Sequence, residues 1–194
     1  MIKQDIIDKL NNAFRKIRKQ YDDLSPVLEM VSALIDQAII ANFDAHGRWD
    51  EDESNIGLFS GGSQKWKAIA SSTKEKYKRL GWELEPTLNR SKGLMSSIEV
   101  HPQGKTSVII SANAPYAAIH NYGGTVKPSI TITPRMRNFF WYKFYDIGLV
   151  SWKAMALTKK KKLEPVIQIT ARPFITLTEE DLEEIIISII FMKC

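Results

Sequence analysis

Three histidines and one cysteine carry most of the reactive chemistry in this 194-residue chain: His46, His101, His120 and Cys194. None has a second histidine or cysteine at metal-ligand spacing, so a zinc site would need carboxylates gathered from distant loops. No metal is expected. His120 has the most suggestive setting, between Tyr116 and the pair Gly123-Gly124. A general base there would need a nucleophile to activate and an acid to orient it. Cys194 at the last position does not offer one, and no Gly-x-Ser-x-Gly elbow occurs. Ser111 and Ser129 are near only in sequence. The plainer role for His120 is a hydrogen bond to the backbone of a tight turn. No catalytic residue is assigned.

Phosphate chemistry fares no better. Gly61-Gly62-Ser63 and Gly123-Gly124-Thr125 lack both the Gly-Lys-Ser/Thr of a P-loop and the triple glycine of a dinucleotide site. A double glycine more simply marks a turn that needs positive φ. No cofactor is expected. The acidic run Trp49-Asp50-Glu51-Asp52-Glu53-Ser54-Asn55 has the carboxylates a calcium ion would use, but not the glycine and distant glutamate of an EF-hand loop. It reads as a solvated loop. Lysines near Trp66 and Tyr77, and the basic aromatic stretch from Lys127, could contact nucleic acid. No base-reading signature accompanies them, and helical spacing explains most of these aromatics by core packing. Nucleic acid is therefore a possible partner and not the favoured one.

The elements that would hold these residues are legible from periodicity. Ile2, Ile6, Ile7, Leu10, Phe14, Ile17 and Tyr21 recur at the spacing of one helical face. A second helix starts at Ser25-Pro26, with Ser as N-cap and Pro in the first turn, and stops near His46-Gly47. The two make an antiparallel pair. A short lysine-rich helix closes at Gly81. Leu94–Val100 and Ser107–Ser111 flank Pro102-Gln103-Gly104 and form a hairpin. Ser129–Thr133 and Val166–Thr170 alternate as half-buried strands. Between them, Met136, Phe139, Phe140, Phe144 and Ile147 have helical spacing, with Trp141, Tyr142 and Tyr145 on other sides. Lys159–Lys162 is a solvated, mobile loop tip. Thr178 caps a final helix with Asp181 at N3 and a buried stripe of Leu182, Ile185, Ile186, Ile189 and Ile190. The fold class is α+β: an N-terminal helical pair, a small antiparallel sheet, and a C-terminal amphipathic helix packed on that sheet. Residues 1–194 make one domain, with 134–165 an inserted helical arm.

Composition sets the remaining bounds. With 44% hydrophobic and 25% charged residues, a packed core is available. No signal peptide is evident and no apolar run is long enough for a bilayer, so the expectation is a soluble cytosolic protein without membrane contact. One cysteine excludes a disulfide framework. The net charge of +5 is unevenly spread: Met1–Tyr21 and Lys127–Lys162 are basic, and Thr178–Cys194 is acidic. Opposite charges at separate places can set how identical subunits dock.

Four pieces, in order, carry a resemblance. Tyr116-Ala-Ala-Ile-His120-Asn-Tyr-Gly123-Gly124 resembles the Tyr-Ala-x-Ile-His-x-aromatic-Gly signature of phage virion morphogenesis proteins, the Mu-like tail completion family of tailed phages and prophages. Phe59, Gly61, Gly62 and Trp66 resemble its upstream piece, and Leu88, Ser91, Leu94, Ser97 and Ile98 its central piece. Ala171-Arg172-Pro173-Phe174 before an acidic helix resembles its C-terminal block. The similarity runs from Phe59 to Ile190. Lys92 stands where the family usually has glycine, with Gly93 one place late, so that turn departs from the pattern. The resemblance implies a non-enzymatic structural protein of tail completion or head–tail joining, self-assembling into a ring. Its partners would be copies of itself and other tail or connector proteins. It would reside in the virion or, during assembly, in the host bacterial cytoplasm.

Overall fold

The computed structural model describes residues 4–18, 23–50, 56–82, 87–88 and 91–191. Its elements are, in order, α1 (Gln4–Arg18), α2 (Ser25–Asp44), α3 (Ser71–Arg79), β1 (Ile98–Gln103), β2 (Ser107–Ala112), α4 (Ala117–Tyr122), β3 (Gly124–Val126), β4 (Ile130–Thr131), α5 (Pro134–Ile147), α6 (Val150–Leu157), β5 (Lys162–Leu163), β6 (Ile167–Ile169) and α7 (Glu179–Phe191). The class is α+β. Two compact units divide the chain: a body of residues 1–123 with 170–194, and an arm of residues 124–169.

In the body, α1 buries Ile6, Ala13 and Ile17 along the stripe its periodicity requires. Ile2 and Tyr21 lie outside the described residues. For α2 the cap differs from expectation. Ser25 lies inside the helix, and its backbone N–H and hydroxyl both donate to the Asp23 carboxylate, at 3.0 and 2.7 Å. The N-cap position is Leu24, whose side chain makes no capping bond, and Asp23 just before it satisfies the first N–H of the helix. By length and composition α2 could cross a membrane, although Glu29 and Asp36 interrupt its apolar run and half of its apolar window is buried inside the protein. Among its buried residues are Val27, Leu28, Val31, Ile35, Ile39 and Phe43.

Helix α7 begins as the sequence requires. Thr178 Oγ1 accepts from Asp181 N–H at 3.3 Å, while Asp181 Oδ2 accepts from Thr178 N–H at 2.8 Å. That reciprocal pair is a capping box. Leu182, Ile185 and Ile189 are buried, whereas Ile190 is exposed. The pattern places this helix on the sheet; its chief contacts are instead with α1 and α2, and α2 is what covers β1 and β2. The hairpin pairs Ile98 with Ala112 through to Gln103 with Ser107, and Gly104 turns it at φ +65°. Leu94 precedes it in a turn, buried in the core.

Two further departures stand out. The expected strands exist but form three separate two-stranded antiparallel sheets, β1–β2, β3–β6 and β4–β5, rather than one. Trp49, assigned to a solvated loop, is 1% exposed and bridges to Gln64. Residues 51–55 of that acidic run lie outside the described residues, as does Cys194.

The arm is a ladder with a helical pair at its far end in sequence. Gly124–Val126 pair with Ile167–Ile169, then Ile130–Thr131 with Lys162–Leu163. Thr133 Oγ1 caps α5 by accepting from Met136 N–H, and Gly148 closes that helix in the left-handed conformation. Phe140, Ala156 and Ile132 form a small core with Trp152 and Met136 against it. The lysines at 159–162 are exposed, as expected, but their backbone is tied down and not a free tip. Arg137 donates to the carbonyls of Ala156, Thr158 and Lys160, and Ile132 N–H donates to Lys161 C=O.

Candidate functional site

Gly61, Trp66 and His120, singled out by motif, meet the Ala-Arg-Pro-Phe block on one stretch of the body, the extended segment 170–178. It joins the end of β6 to the start of α7 and belongs to neither helix nor sheet. Pro173 and Phe174 are fully buried in it, with Thr176, Leu177 and Thr178. A buried backbone without a sheet partner must find its hydrogen bonds elsewhere. Here they come largely from side chains.

On the donor side, Arg172 N–H reaches His120 C=O at 2.8 Å and Leu177 N–H reaches Leu58 C=O at 2.7 Å. Asn121 Oδ1 accepts from both Phe174 N–H and Ile175 N–H, at 3.0 and 3.2 Å. On the acceptor side, Trp66 Nε1–H donates to Pro173 C=O at 2.7 Å. Asn42 Nδ2 donates to Phe174 C=O at 2.9 Å and to Thr176 C=O at 2.7 Å. The other end of the Asn42 amide accepts from Arg48 Nε at 2.9 Å, and Arg48 also pairs with Asp181 of the α7 capping box. The strap is thereby tied to α2, α4, α7 and the loop at Trp66.

Apolar packing closes round it. Phe43 meets Trp66 edge-on at 5.6 Å and Phe174 at 5.5 Å. Gly61 is required by contact alone: a Cβ there would sit 2.0 Å from the Leu177 carbonyl oxygen. The upstream Gly-Gly piece therefore lets the strap pass. Downstream, Gly123 and Gly124 have φ of +70° and +137°, as a double glycine suggests.

The nine residues at 116–124 are more than a tight turn. Residues 117–122 form the short helix α4, which aims the Asn121 amide at the strap and ends at Gly123. The His120 ring does not bond the backbone at Nδ1; that atom is buried without a hydrogen-bond partner among the described residues, and the residue's carbonyl makes the contact instead. Tyr116 packs edge-on against the ring at 5.8 Å. Burial, and then the nearby Arg172 charge, hold the His120 pKa below its ordinary value. Burial also lowers that of Arg172, whose guanidinium donates to the carbonyls of Lys67 and Ala68. An imidazole kept neutral beside a guanidinium suits packing.

Trp66, Leu94, Pro173 and Phe174 are thus core residues, while Phe59 and Tyr116 remain substantially exposed. Sequence reasoning missed Asn42 and Arg48. The available signal was an asparagine on the apolar stripe of α2, between Ile39 and Phe43, where a polar side chain must have a partner. Lys92 supplies a further match: it stands at φ +54°, the left-handed region that glycine adopts freely.

The sequence model of the phage virion morphogenesis family matches residues 61–191, about two thirds of the chain. The chain belongs to that family. Its role is in phage virion assembly. Neither a curated protein nor a solved structure matches it. The family's matched span contains Gly61, Trp66, α4 and the whole strap, while Asn42, Arg48 and Leu58, which also hold the strap, precede it.

Proposed function

We propose that this protein completes the tail or joins head to tail, and that it does so as a ring of identical subunits without catalysing a reaction. The observation that carries the reading is the charge division between the two units. The arm holds nine lysines and arginines against Asp146 and Glu164, a net +7 in a chain whose total is +5. The body is left at −2, with five carboxylates and no basic residue in α7. Opposite charges on separate units favour a head-to-tail contact, which closes into a ring when the rotation permits. Other tail or connector proteins would bind the assembled ring, in the virion or in the host cytoplasm while particles form.

Deleting the gene from the phage tests the biological role: lysates should hold heads and tails that fail to join or mature. Normal infectious particles would refute it. Light scattering on the purified chain tests the ring. The basic arm, with Tyr142 and Tyr145 exposed, also favours a second reading as a nucleic-acid-binding module. Tight DNA binding with a steep salt dependence, in a chain that stays monomeric, would favour that reading instead.

A further inference from the structure

Two helix faces carry apolar groups that the described residues leave exposed. On α7, opposite the buried Leu182–Ile185–Ile189 stripe, Glu180, Glu183, Glu184, Ile187, Ile190 and Phe191 are all exposed. Their spacing places them on one face, acidic over the first half and apolar over the second. Phe191 is 69% exposed. On α5, opposite the buried Phe140, the exposed residues are Arg135, Asn138, Phe139, Tyr142, Tyr145 and Asp146. Tyr145 is 77% exposed. Both stripes have the same spacing and each runs about 16 Å along its helix. Two basic groups lie over the aromatic surface of the arm: Lys143 Nζ and Lys153 Nζ are each 5.6 Å from the ring centres of Tyr142 and Phe144, respectively.

Resting on the ring reading above, we infer that the α5 face of one copy docks on the α7 face of the next, making the repeated contact of the assembly. Exposed faces of this kind usually mark an interaction site. Charge selects the occupant: a +7 arm meets a helix with five carboxylates and no base. Charge also selects the direction. Side by side and parallel, Arg135 comes opposite Glu180, and Tyr142 and Tyr145 come opposite Ile187 and Ile190. The antiparallel arrangement would instead bring Asp146 to that glutamate and Arg135 to Phe191.

Two full-length double variants test the docking: Tyr142→Ser with Tyr145→Ser, and Ile187→Ser with Phe191→Ser. These side chains are exposed, so both variants should keep the wild-type circular dichroism and thermal melt. By sedimentation, wild type should assemble and each variant alone should be monomeric. An equimolar mixture should give a one-to-one dimer and nothing larger, because one intact contact remains and cannot propagate. Assembly of either variant like wild type, or a mixture that stays monomeric, overturns the docking. A wild-type chain monomeric at all concentrations overturns the ring reading as well. The two failures are thereby separable.

Discussion

Replacing Asn42 by leucine tests whether side-chain hydrogen bonds hold the 170–178 strap. The side chain is fully buried, and leucine is close to it in size, so packing changes little. What changes is polarity. The carbonyls of Phe174 and Thr176 lose the amide that donates to them, and Arg48 Nε loses its acceptor. Each buried group left unpartnered costs roughly 1–3 kcal/mol, more for a charged one, so two carbonyls alone cost about 2–6 kcal/mol. A domain's whole stability is typically about 5–15 kcal/mol, so the loss is a large share. Ser32→Ala on the same helix is the matched control. Its hydroxyl is also buried, yet it donates only to the Leu28 carbonyl, a site that the α-helical ladder already serves. That change should cost about 1 kcal/mol or less. Urea unfolding followed by circular dichroism gives both values. At about 2–4 °C per kcal/mol for a chain of this size, Asn42→Leu should lower Tm by at least about 4 °C. An Asn42→Leu protein within about 1 kcal/mol of Ser32→Ala would refute the clasp, since the lost donors would then not matter.

Further changes probe neighbouring features. Gly61→Ala should prevent stable folding, because its Cβ would meet the Leu177 carbonyl at 2.0 Å, whereas Gly104→Ala meets nothing within 4 Å and should cost about 1–2 kcal/mol from its positive φ alone. Soluble expression and melts compare them. Lys92→Gly should raise stability in urea by about 1 kcal/mol, since glycine removes the strain at φ +54° at some cost in chain entropy. His120 is neutral in the folded body with its pKa below the ordinary 6.5, so the unfolded chain takes up the proton first. Its contribution is complete above pH 6.5 and is lost as pH falls toward the folded value; His120→Gln should flatten that part of the stability–pH curve, and an unchanged slope would exclude the effect. Replacing residues 124–169 by a short glycine–serine link should leave the body folded, since Gly124 and Ile169 are paired neighbours; loss of the cooperative melt would contradict the two-unit division.

Periodicity reveals helices whose buried side lies in one stripe, which is why α1 and α7 could be read directly. Sheet partnership could not, because β3 and β4 are two or three residues long and pair with strands 31 to 45 residues away. No local pattern encodes such pairing. The strap was legible as Ala-Arg-Pro-Phe and opaque as a mechanism. Its bonds run from Asn42, Trp66 and Asn121, which are between 53 and 134 residues distant. Tyr116–Gly124 misled in the opposite way. Two glycines and a histidine suggest a turn, yet the six residues before Gly123 form a helix whose useful polar group is Asn121. Trp49 was hidden by its acidic neighbours, although a tryptophan at a loop's edge is a good candidate for burial.

The signature residues are placed where the arm departs and returns. Gly123 is the last residue of the body before the arm, and Thr170 the first after it. Within the body, His120 and Asn121 on the outgoing side hold Arg172, Phe174 and Ile175 on the returning side through three hydrogen bonds. The returning segment then runs straight into the α7 capping box, whose Asp181 is paired with Arg48. One tied segment thus links the root of the basic arm to the acidic helix. If neighbouring subunits meet through those two elements, a repeated contact needs the same geometry in every copy. A loop free to swing would close rings of different sizes, because each small rotation accumulates around the circle. The motif is then better explained by these hydrogen bonds within the body than by reactivity of His120. Asn121→Ala, which frees two backbone N–H groups of the strap, should broaden the size distribution of assemblies more than it lowers their number. Uniform assemblies from that variant, seen by electron microscopy, would show that the clasp serves folding alone.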